Sequence, residues 1–341
     1  MIVPNVTNEW GDLKEIIVGE PTNAQIPTVK DKSLHCIDYA HLSDEEFKNI
    51  PTGRYPAHII HETYSDLNNL QRVLENLGVK VHRPDSYDFS IKQSNGEWEV
   101  DGYYNYCPRD SMLVIEDKVL STPMALRQRQ FEANNFKSMF DPNHWVDLPK
   151  PKLLDSMYSR EDLSIPTLMN EEPAFDAANI LKANDDILYL VSNTGNKKGA
   201  ELLQNWLDEN TQRNYKVHTA ENVYAYIHID TTFVLLREGL VLINPSRVND
   251  DNMPDFLKNW DKVICPEPYP TQVMNDWCPA SPWLGMNILS VNDKCVIVEE
   301  HQIQLMKLLE KWGIESIPIK MRHSRTLSGG PHCVTLDVVR E

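Results

Sequence analysis

Short apolar runs come in pairs across a polar turn, and each pair is followed by a segment with helical spacing and then a third apolar run. Alternation within four- to eight-residue runs marks strands, and recurrence at three and four residues marks helices. Met112-Leu113-Val114-Ile115 turns at Glu116-Asp117-Lys118 into a return strand to Leu120; a helix from about Met124 to Phe140 and the strand Trp145-Val146-Asp147-Leu148 follow. The next unit has Asn179-Ile180-Leu181, a turn at Asn184-Asp185-Asp186, Ile187 to Val191, a helix from about Asn196 to Asp208, and Tyr215-Lys216-Val217. A third has Thr232 to Leu235, a turn at Glu238-Gly239, Leu240 to Ile243, a short helix near Met253 to Trp260, and Lys262-Val263-Ile264. The fourth has Ile288 to Val291, a turn at Asn292-Asp293, Cys295 to Val298, a helix from His301 to Trp312, and Ile317-Pro318-Ile319.

An acid or amide opens each unit. These are Asp110, Asp176, Asp230 and Asn287, spaced 66, 54 and 57 residues apart. A fifth unit is split by the chain ends: Val334 to Val339 is its first strand, Lys14 to Val18 its second, a helix from about Glu62 to Leu77 follows, and Val79-Lys80-Val81 closes it. Five ββαβ repeats that join their own termini predict a closed, pseudo-fivefold α/β propeller, formed as a single domain over residues 1–341. Its opening turns should converge on the axis, which puts Cys333 opposite Asp110, Asp176, Asp230 and Asn287.

The bulk numbers narrow the function. With 341 residues, 41% hydrophobic and 24% charged, the chain can bury a large core. A net charge of −17 argues against a nucleic-acid partner and favours a cationic substrate. No apolar run approaches the roughly 18 residues of a membrane span, and the N-terminus has no signal pattern, which points to the cytoplasm. Cys36, Cys107, Cys265, Cys278, Cys295 and Cys333 have neither a CxxC pair nor zinc-ligand spacing, so no metal is expected and most should be reduced core thiols.

Three features meet Cys333 at the proposed axis. Ser328-Gly329-Gly330-Pro331-His332-Cys333 carries the thiol on a backbone that a substrate can approach closely. In Tyr226-Ile227-His228-Ile229-Asp230, strand alternation sends His228 and Asp230 to one face and the two isoleucines to the other. Asp176 and Asp110 stand in turns that, taken alone, read as hairpin caps. A thiol with an imidazole and several carboxylates is equipped for covalent attack on a cationic carbon, because the thiol needs a base and the base an orienting acid. A guanidinium ion fits such a site, since its planar fork of donors pairs with carboxylates.

Phe175-Asp176-Ala177-Ala178-Asn179, His228-Ile229-Asp230-Thr231-Thr232-Phe233, Pro108-Arg109-Asp110, Asn244-Pro245-Ser246-Arg247 and Ser328 to Cys333 together resemble the motifs of the L-arginine amidinotransferases, from Glu9-Trp10 to Val339. Ile187 to Ser192, Asn244 to Phe256 and His323 to Leu327 resemble most the inosamine-phosphate and cyanotoxin-pathway branch. The resemblance implies the five-bladed propeller shared with arginine deiminases and a cofactor-free, ping-pong transfer of the amidino group of L-arginine to a primary amine. Cys333 would be the nucleophile, with His228 as acid and base oriented by Asp176. Asp110 and Asp230 would hold the guanidinium, Arg247 the donor carboxylate, and Ser281 and Arg127 would complete the substrate-binding set.

The departures bear on the acceptor. Relatives usually have three glycines and an aromatic before the His-Cys pair, where this chain has Ser328 and Pro331; glycine-using relatives have methionine and asparagine at the positions of Ile227 and Ala225. The stretch Asp276 to Trp283 also differs. Glycine, lysine, an aminated cyclitol and other small amines stay open as acceptors, as does homo-oligomerisation. An arginine deiminase-like hydrolase yielding citrulline would use the same nucleophile, and a non-catalytic propeller would serve as a binding platform. The segment from Thr28 to His61 has no clear periodicity and reads either as a lid over the axis or as an irregular outer layer.

Overall fold

The computed structural model describes residues 1–223, 226–271, 273, 278 and 280–341. Among them, five three-stranded sheets repeat one pattern, a hairpin whose second strand pairs in parallel with a third strand after a crossover. Met112–Ile115, Lys118–Ser121 and Trp145–Asp147 form one. Ile180–Ala183, Asp186–Leu190 and Lys216–Ala220 form the next. Phe233–Arg237, Leu240–Ile243 and Asp261–Ile264 make a third, and Leu289–Asn292, Cys295–Glu299 and Glu315–Ile319 a fourth. In the fifth, Leu13–Val18 lies between Thr335–Arg340, antiparallel, and Lys80–His82, parallel.

Two crossover helices show why these segments fold locally. Lys197–Asn210 is capped by Asn196, whose side chain accepts from the Gly199 N–H, and it buries Ala200, Leu203 and Leu207 on one stripe. Leu203 packs with Leu113, Leu120, Ile187 and Tyr189, joining two neighbouring blades in one core, and its burial stabilises by about 2 kcal/mol. Ala57–Asn76 starts after Pro56, buries Ile59, Leu67, Leu70 and Leu74, and ends before Gly78, whose φ of +83° only glycine adopts at low cost.

Two expected helices are absent. Met124 to Phe140 forms a string of 3₁₀ turns, Arg127–Arg129, Glu132–Asn135 and Lys137–Met139. Arg127, Gln128, Arg129 and Gln130 are all buried, and four consecutive side chains point in all directions around an α-helix, so no helix can lie on a surface and bury them together. Near Met253 to Trp260 only the turn Asp255–Leu257 forms; eight residues with a proline are too few to sustain a helix unaided.

The blade-opening segments touch in a ring. Pro108–Ser111 meets Ala177–Asn179 and the strand Thr335–Arg340, Ala177–Asn179 meets Ile229–Thr231, and Ile229–Thr231 meets Pro282–Met286. Asn287 closes the circle, its Oδ1 accepting from the backbone N–H of His332 at 2.9 Å and of Cys333 at 3.2 Å. The segment from Thr28 to His61 folds as Lys32–Ile37, capped by Asp31, and Asp44–Asn49, held by a Ser43/Glu46 capping box. Its Leu34, Ile37, Tyr39 and Phe47 are core residues, so it is a packed cover on the ring. No helix among the described residues is long and apolar enough to cross a membrane.

Candidate active site

The ring assembles the thiol, the imidazole and three carboxylates from four blades, His228 and Asp230 coming from the same one. Asn287 Nδ2 donates to Cys333 Sγ at 3.0 Å, and the thiol donates to Asp230 Oδ2 at 3.1 Å. His228 sets Nε2 at 3.1 Å from Asp176 Oδ2 and Nδ1 at 3.7 Å from Asp110 Oδ1. Asp176 is fixed in turn by the Ala125 N–H, which donates to its other oxygen at 3.1 Å. All five residues are buried.

Local structure explains the placement, though not by the route the alternation predicts. His228 precedes a 3₁₀ turn, Ile229–Thr231, instead of lying in a strand, and Ile227 lines the same cavity as His228. Gly329 and Gly330 also serve differently from expectation. Neither has a positive φ; a Cβ on Gly330 would lie 2.6 Å from Asn287 Oδ1, and one on Gly329 2.6 Å from Cys107 Sγ. The glycines allow close packing of the thiol turn, and Cys333 is buried behind them.

A cavity of about 30 Å³ is lined by Asp38, Asp110, Arg129, Asp176, His228 and Ser328, among others. Its chemistry is anionic. Burial opposes protonation of His228, but Asp110, Asp176 and Asp230 outweigh it and push the imidazole up to about 9. Burial and then the charges of Asp230 and Asp110, with Cys107, hold the Cys333 thiol well above its usual range. Desolvation would raise Asp230, yet its histidine neighbours, His332 first and then His228, keep its carboxyl low. A site that keeps its histidine cationic and its thiol protonated is poised for a cation, whose charge would favour the thiolate. A larger surface cavity of about 470 Å³ near Pro268, Tyr269 and His301 contains none of these groups.

The structure brings Arg247 and Ser281 together beside Asp230. Arg247 donates to the Thr231 carbonyl at 2.9 Å, to the Thr231 and Thr232 hydroxyls, and to Ser281 Oγ at 3.1 Å. Arg127 is not in the cavity. Its guanidinium donates to Leu153 O at 2.8 Å, Asp31 at 2.9 Å and Asp155 at 2.7 Å, tying down the covering segment. The arginine that enters the cavity is Arg129, stacked on Tyr104 and paired with Glu132 and, at 2.7 Å, with Asp110 Oδ2. That leaves Asp110 Oδ1 buried with no hydrogen-bond partner. Asp38, which burial pushes up to about 6 despite Arg129 and Tyr103, also lines the cavity, and its place in an aperiodic segment gave no signal. Ala225 and, in the stretch from Asp276 to Trp283, Asp276, Trp277 and Pro279 lie outside the described residues. Among the described residues no group of His, Cys, Asp or Glu is arranged to hold a metal ion.

Comparison with known proteins supplies the family. No family model matches the chain. Inosamine-phosphate amidinotransferase 1 of Streptomyces griseus is 43% identical over 345 residues, covering 100% of this chain and 98% of the relative. The chain is an amidinotransferase. A solved structure of a Streptomyces griseus inosamine-phosphate amidinotransferase superposes with a TM-score of 0.95 at 42% identity, covering 100% of this chain and 97% of the other. This amidinotransferase also matches a dimethylarginine dimethylaminohydrolase of Pseudomonas aeruginosa at a TM-score of 0.60 and 15% identity, over 95% and 99% of the two chains, a likeness of fold alone.

Proposed function

We propose that this amidinotransferase moves the amidino group of L-arginine to a primary amine through a covalent amidino-Cys333 intermediate, releasing L-ornithine. The observation that carries the reading is Asp110 Oδ1, a buried acceptor without a donor, 3.7 Å from the His228 imidazole. A guanidinium supplies such donors, and a buried carboxylate oxygen left unpaired is costly.

Asp110 and Asp230 grip the guanidinium nitrogens, and Arg247, with Ser281 beside it, pairs with the donor carboxylate. The Cys333 thiolate attacks the guanidinium carbon and gives a neutral tetrahedral adduct. His228, cationic at rest, protonates the δ-nitrogen; the C–N bond breaks, ornithine leaves as a neutral amine, and the amidino cation stays on sulfur. An incoming amine then attacks the same carbon and gives a proton to His228, and the C–S bond breaks to return the thiolate and the imidazolium. One histidine thus serves as acid in the first half and base in the second, and Asp176 holds its orientation.

The name of the relative at 43% identity makes an inosamine phosphate the first acceptor to assay. The six cysteines, none in a disulfide, accord with a cytoplasmic place for this enzyme. Incubation with arginine alone should give one equivalent of ornithine and a mass gain on the peptide containing Cys333; adding the true acceptor should restore turnover and yield its guanidino product. Steady release of citrulline without acceptor would instead identify a hydrolase.

A further inference from the structure

A second histidine stands next to the thiol in sequence and is not among the residues that line the cavity beside His228. His332 Nδ1 lies 3.2 Å from Asp230 Oδ2, the same oxygen that accepts from Cys333 Sγ at 3.1 Å. Its Nε2 lies 3.6 Å from Glu9 Oε2. Asp230 and His332 thus form a continuous buried path from the sulfur to a carboxylate brought in by the other end of the chain.

Every element packed here contributes a charge or dipole. Glu9 is anchored by Lys182 Nζ at 3.0 Å and by the Lys182 N–H at 3.0 Å, with Arg109 at 3.8 Å. Arg109 Nε also donates to the His332 carbonyl at 2.9 Å and its fork pairs with Asp337, which Arg340 shares. Asn287 holds the backbone of His332 and Cys333, while Cys107 and Asp110 add to the field at the sulfur. Desolvation opposes ionisation of Glu9, yet Lys182 and His332 keep its carboxyl well below the usual range, so it is an anion at the far end of the path.

This arrangement bears on the transfer chemistry. His228 reaches Asp176 and Asp110, whereas the Cys333 thiol donates to Asp230, so the thiol proton is placed to leave on the Asp230 side. We infer that His332 is the acceptor of that proton, reached through Asp230, and so is a positioning residue for the nucleophile distinct from the cavity histidine. With His332 starting as the neutral tautomer that carries its proton on Nε2, toward Glu9, the S–H bond breaks as Asp230 Oδ2 takes the proton; Asp230 passes it to His332 Nδ1, regenerating the carboxylate. The net products are a thiolate, to which Asn287 donates, and an imidazolium held between Asp230 and Glu9. No electrons change hands, and when the thiolate is released in the second half-reaction the proton returns by the same path.

The inference rests on Cys333 being the nucleophile, and the test separates the two. His332→Asn keeps a polar group beside Asp230 at the position of Nδ1 but cannot accept a proton. In rapid-quench measurements with arginine alone, this variant should keep apparent arginine affinity within about threefold while its ornithine burst at pH 7 falls by at least about 100-fold. The burst rate should then climb about tenfold per pH unit toward pH 9 as solvent hydroxide substitutes for the lost acceptor. His332→Gln, which reaches toward Glu9 instead, is expected to behave alike and covers the case in which the asparagine variant does not fold. A burst with wild-type rate and pH profile in either folded variant overturns the inference. If wild-type enzyme gives no ornithine burst, the transfer reading fails first; the pH profile of Cys333 alkylation by iodoacetamide, which needs no arginine, still reads the inference, and a profile unmoved by His332→Asn overturns it.

Discussion

Two imidazoles stand in the acidic ring that holds the thiol, and they differ in what they can meet. His228 borders the cavity and has a carboxylate near each nitrogen, Asp176 at 3.1 Å and Asp110 at 3.7 Å. His332 also has a carboxylate near each nitrogen, Asp230 at 3.2 Å and Glu9 at 3.6 Å, but it borders the ion-pair layer of Lys182, Arg109 and Asp337. Identical side chains in similar acidic surroundings are therefore assigned different work by access alone. On the cavity side, Asp110 Oδ1 is a buried carboxylate oxygen with no hydrogen-bond partner.

The comparison breaks first at the atom both sides share. Cys333→Ala should abolish the ornithine burst, a loss of about a million-fold for a nucleophile in a cooperating set, with the melting temperature nearly unchanged. A variant that kept even a hundredth of the wild-type burst would move the chemistry elsewhere. On the cavity side, His228→Asn should lower turnover by about 10⁴-fold, because it removes the proposed acid for the leaving amine, and circular dichroism should show an intact fold. On the other side, Lys182→Met should do the reverse. Leaving Glu9 buried without its cation should cost about 3–5 kcal/mol in denaturant unfolding, and an unchanged midpoint would remove the anchoring role given to that pair.

A smaller effect sharpens the cavity side by pH. The His228 pKa is raised from an ordinary 6.5 to about 9, so its ion pairs stabilise the fold fully below pH 6.5 and lose that contribution as pH rises through 9. The burst should follow the same sign, falling about tenfold per unit above pH 9 as the acid form disappears. A burst rate that stays level to pH 10.5 would separate His228 from the acid role.

Much of this was legible in the residues, for identifiable reasons. The hairpins were readable because Ile180-Leu181 and Ile187 to Leu190 are apolar runs divided by Asn184-Asp185, and Asn184 adopts φ +60° as such a turn needs. Cys333, His228, Asp176, Asp110 and Asp230 were readable because repeats place like positions at one axis. Arg129 was not, because Arg127 two residues earlier has the same chemistry and only the collapse of the expected helix decides which guanidinium turns inward. The pairing of Glu9 with Lys182 and His332 joins three distant parts of the chain, and nothing local distinguishes Glu9 from a surface acid. The thiol turn was found, but its glycines were credited with admitting a substrate when what packs against them is Asn287 and Cys107.

The interlocking of Leu13–Val18 with Thr335–Arg340 has a temporal side. During synthesis, four blades can emerge and begin to fold while the first-made strand waits without its neighbour, since that neighbour is translated more than 300 residues later. Its arrival finishes the ring and delivers the sulfur in the same event. A ribosome that stalls before Cys333 thus leaves a product that has Asp110, Asp176 and Asp230 but lacks the proposed nucleophile.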